Sequence, residues 1–156
     1  MNDQKKIRLV LAADHAGFEL KEKIKASLLL QGFCIDDCGV HSAATANWAE
    51  FGAIAAAKVS ADPQHKTGIL VCGSGIGMSI VANKFRNVRA ALCHDENAAR
   101  LARSHNDANV LALGARLVDT ATALRIVAVF LKTAFEGGRH QERLDYLRDG
   151  VENKIH

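Results

Sequence analysis

Short, unbroken apolar runs alternate with longer amphipathic stretches along most of this chain. Ile7 to Ala13 is a β-rich run, and Gly17 to Gln31 then places Leu20, Ile24 and Leu28 at helical spacing. Gly32 ends that helix, and Phe33 to Asp37 reads as a second strand. Trp48, Phe51, Ala55 and Val59 give the next helix its apolar face. The pattern continues with a strand over Thr67 to Cys72, a short helix over Gly77 to Lys84, a strand over Arg89 to Cys93 and a helix over Asp95 to Ser104. A fifth strand, Val110 to Leu113, precedes a long helix from Thr120 to Thr133. Strands that are apolar throughout are buried on both faces, so the expected architecture is a five-stranded parallel sheet between two helical layers, a doubly wound α/β domain.

The tail differs in kind. After the break at Glu136-Gly137-Gly138, a helix is expected over Arg139 to Glu152, with Leu144, Leu147 and Val151 on one stripe and Arg139 and Arg143 sharing another face. It reads as a C-terminal helical arm (136–156) on a core of about 7–135, within one domain spanning 1–156. There is no internal repeat, and the single proline, Pro63, lies in a surface loop over Asp62 to Lys66.

Composition excludes several classes. A 156-residue domain buries roughly 70% of its unfolded surface, so it needs neither a metal nor a disulfide to fold. Twenty Lys and Arg against 17 Asp and Glu is too even for a nucleic-acid-binding surface, and any anionic partner should be small and locally bound. Met1 to Lys6 contains no apolar leader, and the strongest apolar stretch, Ile126 to Leu131, is far short of the ~20 residues that span a bilayer. The expectation is a cytoplasmic protein with reduced thiols and no membrane partner. Cys34, Cys38 and Cys93 read as small buried hydrophobes. His41, His65, His140 and His156 read as surface residues, and no cluster has the spacing of a catalytic metal site.

Parallel sheets bind ligands outside the carboxyl ends of their strands. There this sequence places Asp14-His15-Ala16-Gly17, Cys72-Gly73-Ser74-Gly75-Ile76-Gly77, His94-Asp95 and Gly114-Ala115-Arg116. Glycines at 73, 75 and 77 between a strand and a helix can turn backbone amides onto an anion, or can simply make a tight turn. The loop is neither a Walker sequence nor a dinucleotide fingerprint, since no Gly-Lys-Ser/Thr follows and position 78 is Met. A phosphatase-type loop needs an arginine where Met78 stands. Cys72 at the head of this loop faces amides and a helix start, surroundings that favour a thiolate able to act as base or nucleophile. Arg116, Arg139 and Arg143 could form a phosphate clamp or three separate solvated side chains. His105, in a loop before the fifth strand, would by itself read as a surface histidine.

Five blocks carry a resemblance that covers about residues 7 to 143. They are Asp14-His15-Ala16-Gly17-Phe18-Glu19-Leu20-Lys21, Cys72 to Ser79, Arg89 to Cys93, Ser104 to Arg116, and Phe135-Glu136-Gly137-Gly138-Arg139-His140 with Arg143. In that order they resemble B-type ribose-5-phosphate isomerases, of the family that includes galactose-6-phosphate isomerase. The resemblance implies a Rossmann-like fold and an aldose–ketose isomerase of the non-oxidative pentose phosphate branch. It also implies no metal, no cofactor, and active sites shared between two subunits of a homodimer or a dimer of dimers. Residue by residue, it implies that Cys72 moves the proton between C1 and C2 through a cis-enediolate, whose charge rests on the amides of Gly73, Gly75, Ile76 and Gly77. Ser74, where relatives carry Thr, assists transfer between the oxygens. His105 opens the sugar ring with Asp14 as its counterpart, Asn106 binds hydroxyls, and His15, Arg116, Arg139 and Arg143 hold the phosphate. One segment departs from the pattern: Ala46-Asn47-Trp48-Ala49-Glu50-Phe51 stands where the resemblance implies an Asp-Tyr-Pro-like run lining the sugar. Trp48 could stack on the sugar or anchor its helix. This departure keeps a six-carbon substrate, allose or galactose 6-phosphate, as the alternative to ribose 5-phosphate.

Overall fold

The computed structural model describes residues 7–148 and 150–154, without the side chains of 152 and 153. The Met1 to Lys6 segment and His156, both interpreted above, lie outside the described residues. Five parallel strands, β1 (Arg8–Ala13), β2 (Cys34–Asp37), β3 (Lys66–Cys72), β4 (Ala90–Leu92) and β5 (Val110–Gly114), form one sheet in the order β2-β1-β3-β5-β4. The chain winds outward from β1 to β2 and then crosses to β3 on the other side. The gap between the carboxyl ends of β1 and β3 is therefore the topological switch point.

Helices cover both faces, as the unbroken apolar strands require. On one face α1 (Phe18–Leu30), α4 (Glu96–Asn106) and α5 (Thr120–Lys132) bury Ile24, Leu28, Ala99, Ile126 and Phe130 against Leu9, Leu11, Ile69, Leu111 and Leu113. On the other, α2 (Trp48–Ala61) and α3 (Ile76–Ala82) bury Ala55, Ala56, Val59 and Met78 against Val10, Ala12, Leu70 and Val110. Each fully buried aliphatic side chain contributes about 2 kcal/mol. Asn47, Asp95 and Asp119 cap α2, α4 and α5 by accepting from Ala49, Ala98 and Thr122 N–H. Among the described residues, no helix is long and apolar enough to cross a membrane.

Several expectations need correction. Only β1, β3 and β5 are buried on both faces; β2 and β4 are edge strands and are half-buried. That is why Cys34 is exposed and Cys38 only partly covered, leaving Cys93 as the buried one of the three. Edge position also explains the acidic end of β2. Asp36 pairs with Lys58, while Asp37 holds the fully buried Lys21 and also Lys25, all at 2.7–2.9 Å. The last helix, α6, is shorter than expected (Arg139–Arg148), and Gly150 at φ 81° redirects the chain into a 3-10 turn, Val151–Lys154. The helix before β5 runs longer than expected, so His105 and Asn106 form the last turn of α4 and are not in a loop.

Candidate active site

At the switch point, β3 delivers Cys72 to its carboxyl end, where the residue is 4% exposed. The chain then turns sharply. Gly75 adopts φ +78°, and a Cβ there would lie 2.5 Å from Leu92 Cδ1 and 2.9 Å from the Leu113 carbonyl carbon. This turn aims the Gly75 N–H at Cys72 Sγ, 3.0 Å away, which sets the orientation of the sulfur. Ser74 Oγ accepts from Ile76 N–H at 3.3 Å. Among the described residues, the loop amides left for a substrate oxyanion are thus those of Gly73, Ser74 and Gly77, a narrower set than the whole loop.

The remaining groups at this end come from neighbouring strands. Asp14 follows β1, is 6% exposed, and closes the turn into α1 by accepting from Gly17 N–H at 2.9 Å. His15 is exposed, and its Nδ1 accepts from Ala46 N–H at 3.2 Å, which ties the 46–48 segment to the site. Arg116 follows β5, donates its backbone N–H to Gly73 O, and lays its guanidinium over Gly73, where an added Cβ would come within 3.0 Å of Nη1. The Trp48 ring sits over Gly77, within 2.8 Å of where a Cβ would stand. Trp48 starts α2 and roofs the glycine loop while staying 41% exposed, so it is not a buried helix anchor. Asn47 Oδ1 accepts from Ala49 N–H at 3.0 Å and caps α2.

The other predicted groups lie at the opposite end of the sheet. Helix α4 runs antiparallel to the strands, so its last turn returns His105 and Asn106 to the amino end of β5, roughly 15 Å of helix away from the strand tips. There Glu136 N–H donates to Ser104 O, and Gly137 and Gly138, at φ 65° and 55°, fold the chain back into α6. Arg139 and Arg143 are exposed on this helix. One chain therefore does not bring Cys72, Ser74, Asp14, His15, Arg116 and Trp48 together with His105, Asn106, Arg139 and Arg143.

His140 corrects the expectation of a surface residue. It is buried, and its ring stacks on His105 with centroids 4.2 Å apart and planes 12° from parallel. Burial lowers its pKa, as do the neighbouring charges of His105, Arg139 and Arg143, against the opposing pull of Glu136. Glu136 and His140 were missed because they flank what reads as a chain break. Their i, i+4 spacing around two glycines was the available signal. Among the other cysteines, burial and the Asp95 carboxylate push Cys93 up to about 11, and burial pushes Cys38 up, so both remain thiols.

Residues 9–147 match the sequence model of the ribose/galactose isomerase family. The chain is 41% identical over 138 residues to ribose-5-phosphate isomerase B of Escherichia coli, covering 88% of this chain and 92% of the relative. It is 42% identical over 144 residues to a putative sugar phosphate isomerase of Rickettsia typhi, covering 92% and 99%. Ribose-5-phosphate isomerase B of Clostridium thermocellum superposes with a TM-score of 0.90 at 39% identity, covering 95% and 99%. The Mycoplasma genitalium enzyme, crystallised with bound ribulose-5-phosphate, also gives 0.90 at 39% identity, covering 96% and 98%. With the fold and nearly the whole chain matched by these proteins, the chain belongs to the ribose/galactose isomerase family.

Proposed function

We propose that the chain interconverts D-ribose 5-phosphate and D-ribulose 5-phosphate, in the non-oxidative branch of the pentose phosphate pathway. The observation that carries this reading is the buried Cys72 sulfur, held by the Gly75 N–H at the rim of an amide-rich loop. The three relatives named above whose substrate is known by name are five-carbon isomerases, which favours ribose 5-phosphate over the six-carbon alternative.

In this reading His105 opens the furanose ring, with Asp14 as its acid/base counterpart. Cys72 takes the proton from C2 of the open aldose and returns it to C1. The hydroxyl proton passes from O2 to O1 with help from Ser74, so atoms and charge balance. The negative charge of the intermediate falls on the free amides of Gly73, Ser74 and Gly77. Arg116, Arg139, Arg143 and His15 hold the phosphate, and Asn106 holds sugar hydroxyls. No metal or cofactor takes part, so a chelator leaves turnover unchanged.

The separation of the two groups of residues supports a homodimer in which the carboxyl end of one sheet faces the α4–α6 corner of a second copy. The apolar rim supports the same arrangement: Trp48, Ile76, Ile80 and Leu117 are 41–57% exposed around the Cys72 loop. We place the enzyme in the cytoplasm, where its thiols stay reduced. A coupled assay of ribose 5-phosphate beside allose and galactose 6-phosphates tests the substrate; a higher kcat/KM for either six-carbon sugar would overturn the assignment.

A further inference from the structure

We propose that His105, Glu136 and His140 form a binding site for a zinc-like divalent transition metal, a site that switches the enzyme off when filled. Their three ligand atoms lie within 4.8 Å of one another. One carboxylate oxygen of Glu136 stands 3.8 Å from His105 Nε2 and 3.7 Å from His140 Nε2. Those distances are too long for hydrogen bonds. Two ligands on one tetrahedral zinc ion, each about 2.05 Å from the metal, lie about 3.4 Å apart. The two imidazole–carboxylate edges are thus within a few tenths of an ångström of the separation a shared ion imposes. The two rings are stacked nearly parallel, so a shared ion requires the half-buried His105 ring to swing out of the stack until its Nε2 lone pair meets that of His140.

The cluster is also built into the backbone. The Glu136 N–H bond to Ser104 O and the left-handed turn at Gly137 and Gly138 place both α6 ligands against the end of α4. The His140 side chain is only 7% exposed, and among the described residues its ring makes no hydrogen bond; the ring's contacts are the His105 ring and the loose approach to Glu136. Such a side chain, aimed at a carboxylate and a second imidazole, is a ligand waiting for a partner. Glu136 is 56% exposed, which leaves a fourth coordination position open to water. Two imidazoles and one carboxylate suit zinc, cobalt or nickel over magnesium or calcium. Arg139 and Arg143 on the same helix oppose a cation, so the site acts as an inhibitory one that fills and empties and not as a permanent structural one.

Inhibition rests on the ring-opening role proposed for His105, because a metal on Nε2 removes that nitrogen from proton transfer; binding does not rest on it. The test is a titration of chelator-treated protein with cobalt(II), read by its visible absorption, with zinc as competitor. The expected result is one equivalent per chain, without the charge-transfer band of a thiolate ligand, and at least tenfold weaker binding in both Glu136→Gln and His140→Gln at matched melting temperatures. Zinc should inhibit isomerisation over the same concentration range, and a chelator should restore it. Absence of saturable binding, a thiolate band, or unchanged affinity in both variants would overturn the site. Binding at the expected stoichiometry without inhibition would overturn the switch, and with it the ring-opening role of His105.

Discussion

The two ends of the sheet carry the two sets of candidate functional groups and are built in opposite ways. At the carboxyl end, the groups sit on turns directly continuous with fully buried strands. Cys72 and Asp14 are nearly buried and already hydrogen-bonded, to Gly75 and Gly17 N–H. At the amino end, the groups sit on the last turn of α4 and on α6, and Asn106, Arg139 and Arg143 face solvent. The strand-tip half is preorganised by the core, whereas the helix-end half is held by Arg89 and Arg103 on the end of α4, the Glu136–Ser104 backbone bond, a glycine turn and the His105–His140 stack. Across both halves, the groups proposed to move protons (Cys72, Asp14 and the half-buried His105) are less exposed than those proposed to capture the phosphate (His15, Arg116, Arg139 and Arg143), which can begin in water.

The sharpest way to break this comparison is to disable each half in a different chain. Cys72→Ala and His105→Asn should each lower turnover by about a hundredfold or more, and Cys72→Ala should also stop solvent exchange of the C2 proton. Co-refolding equal amounts of the two should then restore about a quarter of wild-type activity, since half the dimers are mixed and each has one intact site. No recovery in verified mixed dimers would show that the halves do not meet across subunits.

Acid should loosen the strand-tip half by about 2 kcal/mol. Burial raises the Asp37 carboxyl, but hydrogen bonds from Lys21, Lys25 and the Gly39 N–H outweigh it and bring it from 3.8 down to about 2. A pKa lowered by folding stabilises the protein above pH 4, and that stability is lost as pH falls from about 4 towards 2. Asp37 ties β2 to α1, and Gly39 O accepts from Ala13 N–H beside Asp14. Urea melts of wild type and Asp37→Asn between pH 2.5 and 6 should converge at the acid end; parallel curves would remove this carboxylate from the account.

A smaller effect is expected at the helix-end half. Arg139→Ala should raise KM roughly tenfold with a lesser change in kcat, because a phosphate contact far from the reacting carbons binds ground and transition states alike. The smallest concerns Ser74. Its hydroxyl accepts a long, 3.3 Å bond from Ile76 N–H, and restoring the methyl in Ser74→Thr should narrow its rotamers and raise kcat by about two- to threefold. Loss of turnover in this variant would mean that the loop has no room for the methyl group.

How far the sequence could be read depended on how local the physics was. Unbroken apolar runs in β1, β3 and β5 announced a parallel sheet covered on both faces. The same rule failed at β2, where edge position exposed Cys34 and recruited Asp36 and Asp37 into ion pairs. Cys72 and the glycine loop were legible because a strand end, a turn and a helix start adjoin in the chain. His140 was not, because its burial depends on a turn that folds it back onto α4, and no pattern within α6 records that contact.

By itself, then, the sequence determined the layer architecture and the identity of the groups at the strand tips, since hydrophobic period and glycine spacing act over a few residues. The place of His105 just before β5 already put it at the opposite edge of a parallel sheet from Cys72, and tertiary structure decided that the α6 arginines return to that end. It also decided that Lys21 is buried against Asp37 and that His105, Glu136 and His140 converge. Those facts follow from the direction in which α4 crosses the sheet and from which strands become edges, and both are set by packing across the whole domain.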